Sequence, residues 1–254
     1  MKIRILGSGT SSGVPRIGND WGACDPAEPR NRRTRVSALI EYDGTRILID
    51  TGPDMREQLL AADVATVDAV LWTHDHADHC HGIDDLRQLF HNARVPVAGF
   101  ARAATLKSLQ SRFEYVFAGR AGYRATVSGA LLPDSLTIGP VTIRCTDQPH
   151  GSIESAGLRF DTERGSIGYA TDFSAVTPGM LDLYNGVDIL VVDALRVAPH
   201  PTHPSLDEAI AFARNCRAGR TVLIHMDHSM DYATLRDNLP AGIEPGYDGM
   251  ELGL

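Results

Sequence analysis

The sequence predicts a layered α/β or α+β fold, sheets covered by helices, and three observations carry that prediction. Strand-like runs alternate with helical patterns, and the second half of the chain loosely repeats the grammar of the first. Asp43-Gly44 sits between two alternating runs, a strong short-range hairpin signal. No Ser/Gly/Pro-rich linker, low-complexity tract or solenoid repeat divides the chain, so residues 1–254 are expected to form a single domain.

Residues 2–6 alternate as a short strand and run into a glycine-rich loop from Gly7 to Gly18. The runs 36–42 and 45–50 form the arms of the hairpin. A helix is expected over 55–62, followed by a buried strand over 68–73. Helical patterns return at 82–91 and 101–110. Strand-like runs then fall at 141–146, 158–161, 166–170, 187–193 and 220–224. The helix over 205–216 opens on Ser205 with Glu208 three residues later, a capping-box pattern.

Hydrophobic residues make up 43% and charged residues 22%, the profile of a globular protein able to bury a large core. A net charge of −8 argues against binding nucleic acid over the whole surface, because phosphate contacts need clustered cations. Arg30, Arg32, Arg33 and Arg35 are a local exception, readable as a solvated loop or as an anion-binding rim. Four scattered cysteines, with no Cys-x-x-Cys pair, read as reduced thiols. No signal-peptide core opens the chain and no stretch is apolar for the 18 or so residues a membrane span needs. A cytoplasmic protein without a membrane partner is expected.

The chemistry concentrates in Thr73-His74-Asp75-His76-Ala77-Asp78-His79, directly after the strand at 68–73. In an extended segment His74 and His76 point the same way and can converge on one cation. A following turn lets Asp78 and His79 face a second cation. Imidazole with carboxylate suits zinc, manganese or iron, and the lack of thiolate argues against a closed structural zinc site.

His-x-His-x-Asp-His after a buried strand resembles the metallo-β-lactamase superfamily, and the likeness extends over nearly the whole chain. It implies a four-layer αββα sandwich and two divalent metal ions. Ile47-Leu48-Ile49-Asp50-Thr51-Gly52 is similar to an upstream motif in which the carboxylate, here Asp50, orders the metal loop. His150 in Gln148-Pro149-His150-Gly151, Asp172 after Tyr169-Ala170-Thr171 and His225 in Leu223-Ile224-His225 match the remaining ligands. The implied set is His74, His76 and His150 on one metal, Asp78, His79 and His225 on the other, and Asp172 shared.

Within the superfamily the chain resembles the phosphoribosyl 1,2-cyclic phosphodiesterases of phosphonate breakdown. The supporting residues are Gly7 to Pro15, Gly246-Tyr247-Asp248-Gly249-Met250-Glu251 and His203-Pro204-Ser205-Leu206. The resemblance assigns His203 as the group that assists the leaving oxygen, and Asp78 as the residue that brings in the second ion. That family holds a structural zinc with an amino-terminal cysteine cluster; here Cys24 stands alone, with His228 retained, and the zinc is not expected. Ser11, Ser12, Arg33 and Arg35 are the candidates for contacting substrate.

These readings imply a phosphodiesterase acting on a small cyclic ribose phosphate or nucleotide-like substrate, through a hydroxide held between the metals. The implied partner is a small phosphorylated molecule, and a homodimer is an expectation from the resemblance alone. Rival readings stay open within the fold. True β-lactamases usually lack an aspartate at the Asp78 position, and tRNA 3′-end endonucleases carry a basic arm that this chain lacks. A non-catalytic carrier would keep the fold without hydrolysis.

Overall fold

The computed structural model describes residues 1–254 as two seven-stranded sheets packed face to face, with helices outside each. The first sheet runs, in spatial order, β14 (Glu251–Gly253), β1 (Lys2–Gly7), β2 (Ser37–Tyr42), β3 (Thr45–Ile49), β4 (Ala69–Trp72), β5 (Val97–Ala101) and β6 (Val127–Leu131). The second runs β13 (Ile243–Pro245), β12 (Arg220–Ile224), β11 (Ile189–Asp193), β10 (Gly165–Ala170), β9 (Ile153–Thr162), β8 (Val141–His150) and β7 (Ser135–Ile138). Each sheet is antiparallel on one side and parallel on the other, where β3 to β6 and β10 to β13 run together.

The two-residue period of each strand builds the layers. Ala38, Ile40, Ile47 and Ile49 turn inward to meet Leu158, Phe160, Val191 and Val222 of the other sheet. Their neighbours Leu39 and Leu48 turn outward, where with Trp72 they pack on α1 (Met55–Ala61), α3 (Leu86–Ala93) and α4 (Ala103–Arg112). The outer face of the second sheet presents Leu190, Val192 and Leu223 to α6 (Pro178–Tyr184), α7 (Leu206–Asn215) and α8 (Tyr232–Asn238). This is the four-layer αββα sandwich that the sequence implied. Each fully buried aliphatic side chain contributes about 1.5–3 kcal/mol to holding the layers together.

The hairpin turn has both central residues in the left-handed region, Asp43 at φ 47° and Gly44 at φ 79°, as a primed turn requires. The capping box of α7 closes in both directions, Ser205 N–H donating to Glu208 at 2.8 Å and Glu208 N–H to Ser205 Oγ at 3.4 Å. The helical patterns at 82–91 and 101–110 are displaced by a few residues: a 3₁₀ turn (Ile83–Asp85) precedes α3, and residue 101 ends β5. Two short helices complete the set, α2 (Ala77–Cys80) and α5 (Glu114–Ala118). No helix is long and apolar enough to cross a membrane.

Candidate metal centre

One end of the sandwich gathers the chain's polar strand termini. Buried strands end where their backbone can no longer pair, so the residue after each is free to turn its side chain into the gap between the sheets. Asp50 follows β3, Asp172 follows the segment after β10, and His225 follows β12; all three have left-handed backbones, at φ 63°, 51° and 60°. For non-glycine residues this conformation is uncommon, and it persists where surrounding bonds over-determine it. Asp50 N–H donates to Leu71 O at 2.9 Å and Asp172 N–H to Asp193 Oδ2 at 3.1 Å.

His74 and His76 leave β4 in extended chain, and the single turn of α2 then swings Asp78 and His79 to the other side. That turn packs on Gly52, where a Cβ would lie 2.3 Å from Asp78 O. Thr51 N–H donates to His79 O and Gly82 N–H to Thr51 O, both at 2.8 Å, fixing the loop to the end of β3.

Two groups of donors result. His74, His76 and His150 form one, with His76 Nδ1 3.2 Å from His150 Nε2. Asp78, His79 and His225 form the other, both imidazole Nε2 atoms lying 3.5–3.6 Å from Asp78 Oδ2. Asp172 stands between them and divides its oxygens. Its Oδ2 faces His74 Nε2 at 3.8 Å and His150 Nε2 at 3.6 Å, while its Oδ1 faces His79 Nε2 at 3.3 Å and His225 Nε2 at 3.6 Å.

The far nitrogens of His79 and His150 are already engaged, while His225 Nδ1 lies 3.7 Å from Asp193 Oδ1. His79 Nδ1 donates to Asp50 Oδ2 at 2.8 Å, and His150 Nδ1 donates to Thr202 O at 2.9 Å. Thr73 adds its own N–H and hydroxyl to Asp50, both at 2.8 Å. What remains is the set of inward nitrogens: His74, His79 and His225 Nε2 are buried with no hydrogen-bond partner. Leaving such atoms unpaired costs about 1–3 kcal/mol each, and divalent cations are the partners their chemistry suits. The residues present therefore fit a metal pair.

The local electrostatics agree. Burial lowers the proton affinity of His74, aided by the neighbouring His79. Burial also opposes charge on His225, but Asp172, Asp193 and Asp78 outweigh it and hold its pKa up at about 9. Burial opposes ionisation of Asp172 too, yet His225, His79 and His74 keep its carboxyl well below the usual range. The site is thus a net of mutually stabilised charges.

The domain profile of the β-lactamase superfamily matches residues 45–226 of this chain, which contain all of these donors. A diphosphatase from the PhnP family is 36% identical, with a TM-score of 0.91 over 100% of this chain and 97% of that one. The chain is a PhnP-like member of the β-lactamase superfamily. PqqB from Methylobacterium extorquens (20% identity, TM-score 0.79, all of both chains) and the short form of human tRNase Z (19%, 0.70, 100% of this chain and 99% of that one) share the fold. Among curated proteins, an octanoyltransferase of Porphyromonas gingivalis is 34% identical over 99% of this chain and 51% of its own length. A ribonuclease Z of Methanopyrus kandleri is 29% identical over 54% and 48%. The chain spans about half the length of these curated relatives.

The remaining expected residues separate. His203 lies at the centre of the site: its Nδ1 donates to Asp193 Oδ2 at 2.8 Å, and its ring stacks on His225. Asp193, which the sequence reading missed, also receives the Asp172 N–H and so supports both residues. It closes the fully buried run Ile189–Asp193, where only a paired charge can sit. His200 lies farther out, 5.2 Å from the His203 ring.

Substrate contacts need the largest correction. Ser11 reaches a cavity of 200 Å³ bounded by His76, Asp78, His150, Asp172, His203 and His225 with Gly151, Ser152 and Thr202, a wall without one apolar side chain. Ser12, Arg33 and Arg35 do not reach it. Ser12 is exposed and donates to Gly13 O. The Arg33 guanidinium is buried and donates to Asp227 O and Met230 O, tying the arginine-rich stretch to the loop after β12. Arg35 pairs with Asp54 at 2.9 Å. Nor is the glycine loop an open phosphate cradle, because Gly9, Thr10, Gly13 and Val14 spend their N–H groups on carbonyls. Arg30 and Arg32 point outward, stacked at 5.0 Å on Tyr232 and 5.2 Å on Trp21. Trp72 is core, its Nε1 donating to Thr51. Gly151 and Ser152 also border a wider depression of 960 Å³, lined further by Asp75, Arg102 and Glu154.

Proposed function

We propose that this protein hydrolyses a phosphodiester in a small cyclic ribose phosphate or nucleotide-like substrate. The observation that carries the reading is His203, whose Nδ1 is bound by Asp193 beside a wholly polar cavity, leaving Nε2 as its free nitrogen. An apolar substrate gains nothing from such walls, whereas a phosphoryl group does.

His74, His76 and His150 would hold one divalent cation and Asp78, His79 and His225 the other, with Asp172 shared; zinc, manganese and iron all suit the donors. Bound there, the pair would supply positive charge for the phosphoryl oxygens and activate water near neutral pH. Ser11 presents a hydroxyl to the substrate from the glycine loop. His203 carries a proton on Nε2 and gives it to the departing oxygen, while Asp193 holds the ring in place. Asp50 and Thr73 keep His79 aimed inward. The depression beyond Gly151 takes the part of the substrate that leaves.

A second reading has a specific support: the 36% identical relative is a diphosphatase, so the bond cut would be a phosphoanhydride between two phosphoryl groups. The same proton delivery serves either bond. Elemental analysis of the purified protein, with turnover of bis(p-nitrophenyl) phosphate, a 2′,3′-cyclic nucleotide and a dinucleoside diphosphate, tests the proposal. Two metals per chain and preferred cleavage of a phosphodiester are expected. Preferred cleavage of the diphosphate selects the second reading. Full metal content without turnover of any of them would sink both in favour of a carrier, and specific cleavage of a precursor tRNA would favour the endonuclease reading.

A further inference from the structure

On the outer side of the first sheet lies a second cavity, of 380 Å³, which shares no residue with the histidine–aspartate site. One wall is α3, which presents Arg87 and Phe90 a turn apart and so on one face. The opposite wall is Tyr115 of α5 and the turn that follows that helix. This turn is a closed hairpin: Arg120 N–H donates to Tyr123 O at 3.1 Å and Tyr123 N–H to Arg120 O at 3.0 Å. Ala121 and Gly122 inside it sit at φ 50° and 90°, and the closure brings Arg120, Tyr123 and Arg124 to the same rim.

The charge of this cavity sets it apart. Many arginines elsewhere have carboxylate partners, as Arg35 has Asp54, Arg102 has Asp147 and Arg159 has Asp161, and what distinguishes this hollow is that three without one meet in it. Arg87, Arg120 and Arg124 line the cavity without a carboxylate within ion-pair distance, and Asp84 is the single acidic residue in the wall. On a chain of net charge −8, three unpaired guanidinium groups around one hollow make a local field that attracts anions. Between them stand three aromatic rings, of which Tyr123 is 76% exposed. Guanidinium forks recognise phosphate by paired N–H bonds, and exposed aromatic rings offer faces on which a flat base can stack. The volume falls in the lower part of the range for small-ligand sites, roughly 300–1,000 Å³.

We infer that this cavity binds a nucleoside monophosphate, its phosphate held by Arg120, Arg124 and Arg87 and its base laid against Tyr123 and Phe90. The site is separate from the hydrolytic one and does not depend on the reaction catalysed there. Titration calorimetry of AMP into the metal-loaded protein tests it. AMP should bind saturably, with inorganic phosphate about 10-fold weaker because it has no base to stack. The double variant Arg120→Ala/Arg124→Ala should weaken AMP binding about 10-fold or more, and Tyr123→Ala should weaken AMP but leave phosphate unchanged. Both variants carry exposed substitutions and should keep the parent's circular dichroism and its turnover of bis(p-nitrophenyl) phosphate. His203→Ala should bind AMP as the parent does. Absence of saturable binding, or equal AMP affinity in parent and double variant, would overturn the inference. So would an equal loss of affinity in His203→Ala, since AMP would then occupy the hydrolytic site.

Discussion

The imidazole of His203 lies parallel to that of His225, with 13° between the ring planes and 4.8 Å between their centres. Asp193 serves both, Oδ2 accepting from His203 Nδ1 at 2.8 Å and Oδ1 lying 3.7 Å from His225 Nδ1. Two histidines of like chemistry thus share one carboxylate, and their free Nε2 atoms settle their different roles.

If His203 delivers a proton, its replacement by alanine should leave metal content at the parent level. Turnover should fall by about 10²–10⁴, the usual worth of a positioned acid. Elemental analysis and steady-state kinetics of the same preparation check this. Loss of one metal in His203→Ala would make the residue a ligand instead.

Asp172 turns one oxygen to each donor group, so Asp172→Ala should reduce the occupancy of both metals together and abolish turnover. His76→Ala, which touches one group, should lose one metal preferentially. Equal metal loss from the two variants would contradict the shared carboxylate.

Arg33 is assigned here to folding and not to substrate. Arg33→Met removes the buried donors to Asp227 O and Met230 O, leaving Met230 O without its donor and Asp227 O with the Met230 N–H alone. Unfolding stability should drop by about 3 kcal/mol or more, read from denaturant melts, while KM stays at the parent value. A raised KM at unchanged stability would return Arg33 to the substrate.

Asp231 caps α8 and ties it to the arginine-rich segment, accepting from Thr234 N–H at 2.8 Å, Asn31 Nδ2 at 2.7 Å and Asp25 N–H at 3.2 Å. Burial alone would raise its pKa, but the bonds from Thr234, Asn31 and Asp25 outweigh it and lower it to about 2 from an ordinary 3.8. The folded state therefore binds this proton less readily than the unfolded chain. Its contribution is complete above pH 3.8 and disappears as pH falls through about 2. Comparing denaturant melts of parent and Asp231→Asn across that range should show a constant gap that closes at the acid end.

Much of the layer order was legible in the sequence because alternation is local: Ala38, Leu39 and Ile40 declare two faces in three residues. The donor residues were legible because histidines crowd at strand ends. Elements with weak patterns were not. β5, with the sequence VAGFA, has small residues and little β preference, so the helical pattern beyond it absorbed its last position. The exposed edge strand β7 and the short helices α5 and α6 offered too few residues to show a period. Asp193 was hidden because nothing local distinguishes a strand-end carboxylate that orients a neighbour from one that meets solvent. Arg33 and Arg35 were misplaced for a related reason. Composition says that cations cluster, but where each side chain turns depends on its partners, carbonyls almost two hundred residues away in sequence for Arg33 and the Asp54 carboxylate for Arg35.

The donors come from both sheets: His74, His76, Asp78 and His79 from the first, and His150, Asp172 and His225 from the second. The apolar interior already joins the sheets, so metal is not needed to bring them together. Bound metal would act instead as a gauge of their register. A slip of one sheet past the other by the width of a single residue would leave the aliphatic contacts exchangeable but would pull the two halves of each donor group apart. Any pressure, mutation or ligand that shears the sandwich would therefore register first as metal lost, before the fold itself gives way.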